Sequence, residues 1–310
     1  MVDIVITEFM DEKAVARLQA RHDLVYEPDL ADKPERLNLL LEDARALIVR
    51  NRTQVRGDLL TAAARLQCVG RLGVGLDNID VEACEDRGIA VYPATGANDL
   101  AVAEYVITAA LALLRGAWLS SRAVASGAWP RQDLIGRELS GRIMGLVGYG
   151  AIARQVAKRA EALGMRCMGF DPYLPQADAA WGETKSCTLD ELLAGADVIS
   201  LHTPLTPDTR HMIDAAALAG VKPGAVLINA ARGGIVDEAA LVAALGEGRL
   251  GGAALDVFEV EPLTAVAGAR FRDVPNLLLT PHIAGVTEES NERVSALIAE
   301  RVLTHLERQQ

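Results

Sequence analysis

Short apolar runs alternate with helical patterns along the first 97 residues of the chain. The apolar runs fall at residues 3–7, 23–26, 46–49, 67–70 and 89–91. The segments between them, such as residues 58–65, place apolar side chains at helical spacing. Alternating strands and helices are typical of a parallel sheet that is covered by helices on both faces. The pattern therefore predicts an α/β domain here.

A second series of the same kind follows an alanine-rich helix that is predicted over residues 98–114. Its strands are predicted at residues 143–147, 166–170, 198–201, 225–229, 253–257 and 277–279. The tail, residues 288–306, again has helical spacing, and we expect it to return and pack on the first domain.

These patterns predict an α/β fold of two doubly wound parallel-sheet domains. One domain is expected to comprise residues 1–97 plus 286–310, and the other residues 98–285. A chain of 310 residues, half of them hydrophobic, is long enough for two such cores.

Residues 117–140 interrupt the second series and show no clear period. The segment contains Trp118 and Trp129, the latter followed by a proline. It is either a surface excursion or an arm that packs on a second subunit. We favour the arm, and hence a homodimer, because exposed aromatic side chains usually need a partner surface.

Charge and composition exclude several classes of protein. A net charge of −11 without a basic tract argues against general nucleic-acid binding. No apolar run approaches the roughly 20 residues that cross a bilayer, and no secretory signal is visible. The four cysteines are widely spaced and form no CxxC pair, which favours free thiols and no metal site. We therefore expect a cytoplasmic protein.

The carboxyl ends of the second series of strands are where a ligand is expected. The first strand runs into Gly148-Tyr-Gly150-Ala-Ile-Ala153, where a helix N-terminus would face a pyrophosphate. Taken alone, this is equally a tight glycine turn. The second strand ends at Asp171, whose carboxylate can accept hydrogen bonds from a ribose and would repel a 2′-phosphate. Together the two features predict NAD in preference to NADP.

Ionisable residues end the later strands. Arg232 follows the fourth, Glu261 lies beyond the fifth, and His282 follows the sixth. A histidine can move a hydroxyl proton near neutral pH, a carboxylate beside it favours the imidazolium, and an arginine can bind a substrate carboxylate. A single histidine at a strand end is often structural. Three complementary groups at neighbouring strand ends instead favour hydride transfer between NAD and a carbon that bears a hydroxyl or carbonyl.

The chain resembles the D-isomer-specific 2-hydroxyacid dehydrogenases, in particular the phosphoglycerate-dehydrogenase-like branch. The resemblance covers essentially the whole chain and rests on GLVGYGAIAR, GFDPY, HTPLTPDTRHMI, LINAARGGIVDEAAL, ALDVFEVEP and TPHIAG, in that order. It implies a Rossmann nucleotide domain, residues 98–285, inserted into a flavodoxin-like substrate or lid domain, residues 1–97 plus 286–310. It also implies that Arg232, Glu261 and His282 are the catalytic set, that the protein is a homodimer, and that one domain closes over the other with the substrate in the cleft. The cofactor contacts that it implies fall on Gly148, Gly150, Ala151, Ile152, Asp171, Thr203, Pro204, Thr209, Ala230, Ala231, Arg232, Asp256, His282 and Gly285.

The resemblance also suggests a substrate site at two strand ends of the first domain. The 73–75 turn resembles the family loop whose amides hold the substrate carboxylate, and Arg50 and Arg71 match positions where phosphoglycerate enzymes hold the phosphate. The arginines could also be ordinary surface charge. The substrate residues so implied are Arg50, Asn51, Arg52, Arg71, Gly73, Val74, Gly75, Arg232 and His282.

We therefore expect a 2-hydroxyacid with a second anionic group. The first-domain motifs IVRNRTQV and VGRLGVGLDNID also resemble those of sulfolactate dehydrogenases. The candidates 3-phosphoglycerate, 3-sulfolactate and monoanions such as glycerate or glyoxylate remain open. A different class of function, an NAD-sensing corepressor-like binding protein, uses the same fold but would need an exposed peptide groove or disordered tails, and the sequence shows neither.

Overall fold

The computed structural model describes residues 2–116, 118 and 120–308. The chain forms two compact units, one of Met1–Asn98 with Val286–Gln310 and one of Asp99–Gly285. Two residues of the predicted arm, Ala117 and Leu119, lie outside the described residues.

The first unit is built on a parallel sheet of five strands in the order β2-β1-β3-β4-β5. This is the flavodoxin-like order, which places a topological switch point between β1 and β3. The strands are β1 (Ile4–Ile6), β2 (Leu24–Tyr26), β3 (Ala46–Val49), β4 (Cys68–Arg71) and β5 (Ala90–Pro93). The helices are α1 (Glu12–Gln19), α2 (Pro34–Leu41), α3 (Asp58–Ala62), α4 (Val81–Asp86) and the C-terminal α11 (Glu288–Arg308).

Alternate residues of the first sheet face two separate cores. In β3, Ile48 packs with α1 and α11, whereas Leu47 packs with α2 and α3. Helix α11 lies so close to β4 that a Cβ on Gly70 would come within 2.6 Å of Cγ2 of Ile298. The glycine in β4 therefore permits the close approach of α11.

The second unit contains a parallel sheet of seven strands in the order β12-β11-β10-β9-β6-β7-β8. The strands are β6 (Ile143–Val147), β7 (Arg166–Phe170), β8 (Lys185–Ser186), β9 (Val198–Leu201), β10 (Val226–Asn229), β11 (Gly252–Leu255) and β12 (Leu277–Leu279). The helices are α5 (Asp99–Arg115), α6 (Ser120–Ala125), α7 (Ala151–Ala162), α8 (Leu189–Gly195), α9 (Ala215–Gly220) and α10 (Glu238–Gly246).

The second sheet has the Rossmann order, with β6 between β7 and β9 at the switch point. One face packs against α5 and α7 and the other against α8, α9 and α10. The predicted fold class, with a Rossmann domain inserted into a flavodoxin-like domain, is confirmed.

One local expectation was wrong. The second sheet has seven strands rather than six, because the two-residue β8 pairs with β7 at the sheet edge. Residues 117–140, for which the sequence shows no clear period, include the short helix α6. Among the residues that the structure describes, no helix is long and apolar enough to span a bilayer.

Candidate active site at the strand ends of the second sheet

The turn after β6 requires a glycine at Gly148, because a side chain there would clash with neighbouring backbone. Gly148 has φ 84°, and a Cβ there would lie 2.8 Å from the carbonyl oxygen of His202. Gly150 is the N-cap of α7, and a Cβ on it would meet open space. Ala153 is fully buried one turn into the helix. The backbone at the start of α7 is thus open to a ligand, as phosphate binding at a helix N-terminus requires.

Asp171 ties the glycine turn to the end of β7. One carboxylate oxygen accepts the Tyr149 amide at 2.8 Å and the other accepts the Tyr173 amide at 2.9 Å. The Tyr149 ring is buried and stacks on Trp181 with ring centroids 4.6 Å apart. Since each carboxylate oxygen carries more than one lone pair, Asp171 can still accept from ribose hydroxyls.

Two polar residues follow β9, the buried His202 and then Thr203, whose hydroxyl has no hydrogen-bond partner. Burial lowers the pKa of His202 to about 4, so this ring is neutral at physiological pH, and it lies 3.0 Å from the hydroxyl of Ser200. The buried hydroxyl oxygen of Thr203 has no hydrogen-bond partner. A buried polar atom of this kind needs a partner, which a bound cofactor would supply. Thr209 instead closes its own loop by donating to the carbonyl of Pro204 at 2.7 Å.

The loop after β10 is shaped by Asn229, which is 1% exposed. Its side-chain oxygen accepts the Ala231 amide at 3.1 Å, and its side-chain nitrogen donates to the Arg232 carbonyl at 2.9 Å. The next residue, Gly233, has no room for a Cβ, which would lie 1.7 Å from the Phe258 carbonyl oxygen. The segment that carries Arg232 therefore lies directly against the segment after β11.

Asp256 organises the loop that carries His282. Its carboxylate, 1% exposed, accepts the Thr280 hydroxyl at 2.6 Å and the amides of Ile283 and Ala284, both at 2.8 Å. The hydroxyls of Tyr105, on α5, and Thr280 are 2.6 Å apart. His282 takes φ 55°, a backbone conformation that non-glycine residues rarely adopt, and this network holds it there.

His282 and Glu261 form the central pair of the site. Nδ1 of the imidazole lies 2.7 Å from one Glu261 oxygen, and the other oxygen accepts the Phe258 amide at 2.9 Å. Burial alone would raise the pKa of Glu261, but the hydrogen bonds from His282 and Phe258 and the charge of Arg232 outweigh it and lower that pKa. Glu261 is thus a carboxylate at neutral pH. The ring nitrogen that it leaves open is Nε2.

Comparison with known proteins identifies the family. The NAD-binding-domain model of the D-isomer specific 2-hydroxyacid dehydrogenases matches residues 107–284. The (S)-sulfolactate dehydrogenase of Chromohalobacter salexigens is 54% identical over 303 residues, which cover 97% of each chain. The chain belongs to the D-isomer-specific 2-hydroxyacid dehydrogenase family.

Two further comparisons extend over nearly the whole dehydrogenase. The D-3-phosphoglycerate dehydrogenase of Methanocaldococcus jannaschii is 39% identical over 305 residues, which are 97% of this chain but 57% of that protein. The crystal structure of the TT0316 protein from Thermus thermophilus matches with a TM-score of 0.88 and 35% identity, covering 98% of this chain and 97% of that one. Residues 107–284 are the NAD-binding domain, and the enzyme is an NAD-dependent 2-hydroxyacid dehydrogenase.

The remaining cofactor positions expected from the resemblance lie in the loops just described. They are Ala151 and Ile152 at the start of α7, Pro204 after Thr203, Ala230 and Ala231 after β10, and Gly285 at the end of the His282 loop. The residues fit NAD, because the open backbone at Gly150, the accepting carboxylate of Asp171 and the unsatisfied Thr203 hydroxyl all lie at these strand ends. Within the described part of the chain, no cluster of side chains is suited to a metal ion.

In the first unit of the dehydrogenase, the loop after β3 is organised by Glu8. This 4% exposed carboxylate accepts the amides of Arg50, Asn51, Arg52 and Thr53 at 2.9 to 3.2 Å. Burial would raise the pKa of Glu8, but the amides of Thr53, Arg52 and Arg50 outweigh it and lower that pKa. Because these amides are already bound to Glu8, an anionic ligand at this loop would meet arginine side chains.

The three arginines of the predicted substrate set have different surroundings. Arg50 is partly buried, donates to Asn291 at 2.9 Å and lies 6.0 Å from the Phe9 ring centroid. Arg71 ends β4 beside it, since Val49 and Arg71 pair in the sheet, and its guanidinium donates to the Leu72 carbonyl at 3.1 Å. Arg52 is exposed and forms an ion pair with Asp32.

The turn at residues 73–75 lies beside Arg71. Gly73 has φ 152°, a backbone conformation that residues with a Cβ rarely adopt, and a Cβ there would also displace the Arg71 guanidinium. Val74 is exposed and Gly75 is half-buried.

Several supporting residues escaped sequence reasoning. Glu8, Asn229, Tyr105 and Thr280 touch loops rather than carry obvious chemistry, and their partners are mostly backbone amides and carbonyls. The available signal was position alone, since Glu8 and Asn229 stand at or just beyond strand ends.

Proposed function

We propose that Arg232, Glu261 and His282 are the catalytic set of this dehydrogenase. The observation that carries the proposal is the 2.7 Å contact between Nδ1 of His282 and the Glu261 carboxylate, with the positive charge of Arg232 close enough to act on the same carboxylate. When bound, NAD+ would supply the acceptor for the hydride that leaves C2 of the hydroxyacid, and NADH would supply the hydride for the reverse reduction.

His282 is the proton carrier in this scheme. With Nδ1 held by Glu261, Nε2 takes the C2 hydroxyl proton during oxidation and gives it back to the carbonyl oxygen during reduction. The Glu261 carboxylate fixes the ring and stabilises the imidazolium form. Arg232 binds the substrate carboxylate, and its charge polarises the adjacent carbonyl.

NAD is proposed to bind at the strand ends described above. The Gly148–Gly150 turn would hold its pyrophosphate, Asp171 would accept hydrogen bonds from its adenosine ribose, and the Thr203 hydroxyl would gain the partner that it lacks. The carboxylate of Asp171 would repel a 2′-phosphate, which favours NAD over NADP.

The substrate is proposed to be a D-2-hydroxyacid with a second anionic group, of which sulfolactate is the first choice. The support is the 54% identity to (S)-sulfolactate dehydrogenase over 97% of both chains. The (S) descriptor agrees with a D-specific family, because a CH2 carbon that bears sulfur outranks the carboxyl carbon whereas a methyl or phosphoryloxymethyl carbon does not. The same arrangement in space is therefore named S in sulfolactate and R in D-lactate.

Arg50 and Arg71 are proposed to bind the second anionic group. They stand on neighbouring strands at the carboxyl edge of the first sheet, next to its switch point, where ligands of such sheets bind. Because the Glu8 carboxylate occupies the loop amides, an anion at this edge would be bound by guanidinium groups. Arg52 is assigned the structural ion pair with Asp32 instead.

The test is NADH oxidation with a panel of 2-keto acids of one and two negative groups: sulfopyruvate, phosphohydroxypyruvate, hydroxypyruvate and glyoxylate. Arg71→Glu is expected to raise KM for the dianions roughly tenfold or more, since a charge-assisted hydrogen bond contributes about 1.5–3 kcal/mol. Its KM for monoanions should change little. Arg52→Ala is the matched control, because that arginine is paired with Asp32, and it should leave both substrate classes unchanged.

The outcomes separate substrate class from reaction. Wild type and Arg71→Glu could both turn over a monoanion with the same kcat/KM, and with a higher kcat/KM than for any dianion. This result would contradict the dianionic substrate and would instead indicate a dehydrogenase of the glycerate or glyoxylate type. A failure of every 2-keto acid to oxidise NADH would instead contradict the assignment of the reaction.

We also propose that the enzyme is a homodimer joined through residues 117–140. Trp129 and Ile135 in this segment are each 74% exposed in the single chain, and a second copy would cover them. Sedimentation should give twice the chain mass, and Trp129→Ser with Ile135→Ser should give the single-chain mass. A monomeric wild type would contradict the arm.

A cytoplasmic location is proposed from the thiols. All four cysteines are free, and burial raises the pKa of Cys68 and Cys167 to about 12. Unpaired cysteines are the rule in reducing compartments. Cell fractionation tests this, and recovery with exported proteins would contradict it.

A further inference from the structure

A pair of glutamates outside the catalytic set links two of the three loops that carry it, those of Arg232 and Glu261. Glu238 is the first residue of α10 and its side chain is 7% exposed, which is rare for a carboxylate. Its Oε1 accepts the Glu259 amide at 2.7 Å, and the Glu259 carboxylate accepts the Glu238 amide at 3.3 Å. The two glutamates thus bind each other's backbone reciprocally.

Arg270 and His211 complete this cluster. Arg270 lies 3.3 Å from Glu238 and 3.8 Å from Glu259, and Nε2 of His211 lies 3.2 Å from Glu259. Burial raises the pKa of Glu238, with a further contribution from the charge of Glu259, while Arg270 acts in the opposite direction. A buried carboxylate lowers stability unless donors surround it, so these contacts are needed to keep Glu238 where it is.

The cluster adjoins the catalytic pair through two consecutive amides. The Phe258 amide donates to Glu261, and the next amide, that of Glu259, donates to Glu238. The short segment from Phe258 to Glu261 is therefore held by one glutamate inside the site and by another at the start of α10. The same segment packs against Gly233, the residue that directly follows Arg232. A Cβ at Gly233 would lie 1.7 Å from the Phe258 carbonyl oxygen.

We infer that Glu238 is a positioning residue of the dehydrogenase: by holding the Glu259 backbone, it fixes Glu261 against His282. The inference rests on the catalytic set proposed above. A glutamate in the first turn stabilises its helix through its charge alone, and this effect requires neither burial nor a partner on another loop. The reciprocal hydrogen bonds between Glu238 and Glu259 are therefore not explained by stabilisation of the helix.

The test compares three variants in hydroxyacid oxidation. Glu238→Ala removes the acceptor of the Glu259 amide and should lower kcat tenfold or more, with KM and NADH binding changed less than about twofold. Glu238→Gln keeps an oxygen for that amide and should retain most of the wild-type kcat. Asp237→Ala is the matched control, because it removes the N-cap of the same helix, where the Asp237 carboxylate accepts the Ala239 and Ala240 amides, and should lower Tm but not kcat.

A double-mutant cycle decides whether Glu238 acts through Glu261. If it does, Glu238→Ala should lower kcat far less in the Glu261→Gln background than in wild type, and alone it should move the pH profile in the same direction as Glu261→Gln. An unchanged kcat in Glu238→Ala, or losses that simply multiply in the double variant, would overturn the inference and leave the catalytic set intact. Wild-type kcat in Glu261→Gln would overturn the catalytic set and the inference with it.

Discussion

At the scale of single residues, the site depends on which protonation states its neighbours enforce. His202 and His282 both stand at strand ends of one sheet, yet burial keeps His202 neutral whereas His282 contacts a carboxylate. Because the pKa of Glu261 is lowered, that carboxylate stays charged throughout the range in which a histidine titrates. Glu261 should therefore contribute no titration of its own to the pH dependence of the reaction in that range.

Replacement of Glu261 by glutamine tests whether the charge of Glu261 acts on His282. The amide keeps an oxygen near Nδ1 but removes the charge that stabilises the imidazolium, so His282 should remain an effective base at lower pH. The acid limb of the pH profile for hydroxyacid oxidation should move to lower pH, and kcat should fall roughly 10- to 100-fold. The measurement is kcat/KM against pH for wild type and variant. An unmoved acid limb would mean that Glu261 does not act on the proton carrier.

The residues that we propose as the catalytic set could be selected from the sequence, whereas the residues that hold their loops in place could not. Arg232, Glu261 and His282 combine reactive side chains with positions at or beyond strand ends, so pattern and chemistry agree. Asp256 was expected to contact the cofactor, and the structure shows its carboxylate bound to Thr280, Ile283 and Ala284. Such hydrogen bonds depend on backbone amides from distant loops. Every residue except proline has a backbone amide, so residue type does not indicate where these bonds form.

At the scale of elements, strand positions followed from buried apolar runs, while their ends depended on local hydrogen bonds. Strand β6 has the predicted bounds, because Ile143–Val147 is a continuous apolar run before a glycine. Strand β11 ends at Leu255, two residues earlier than predicted, and the carbonyl of the next residue, Asp256, accepts the His282 amide. The two-residue β8 and the short α6 carry too few apolar positions to show a period.

Close packing of α11 on β4 gives a prediction about stability. Gly70→Ala would place a methyl group 2.6 Å from Cγ2 of Ile298 and 3.2 Å from Cγ2 of Val302. Overpacking of this kind should lower the free energy of unfolding by roughly 1–3 kcal/mol, visible as a lower urea midpoint. Gly246→Ala, where a Cβ meets open space at the end of α10, is the control and should not lower it. Equal midpoints for both variants would contradict the packing.

At the scale of the whole molecule, the chain contains two parallel sheets of different strand order, and we propose a substrate site on the first and an NAD site on the second. The fold class was predictable because both series alternate strands and helices, and strand order follows from the general rules for such sheets. Each unit places charged or polar residues at a switch point: Glu8 and Arg50 in the first, and the glycine turn and Thr203 in the second. The sequence left open which ligand the residues of the first unit bind. Arg50, Arg52 and Arg71 look alike in sequence, and only the folded unit shows that their contacts differ.

The most direct test of the proposed mechanism is the activity of His282→Ala measured beside its NADH binding. If His282 carries the proton and the strand-end loops hold NAD, turnover of the preferred 2-keto acid should fall roughly 100- to 10,000-fold, whereas the Kd for NADH should change little. A variant that keeps more than about a tenth of the wild-type kcat, or one that loses NADH binding together with turnover, would contradict the central claim.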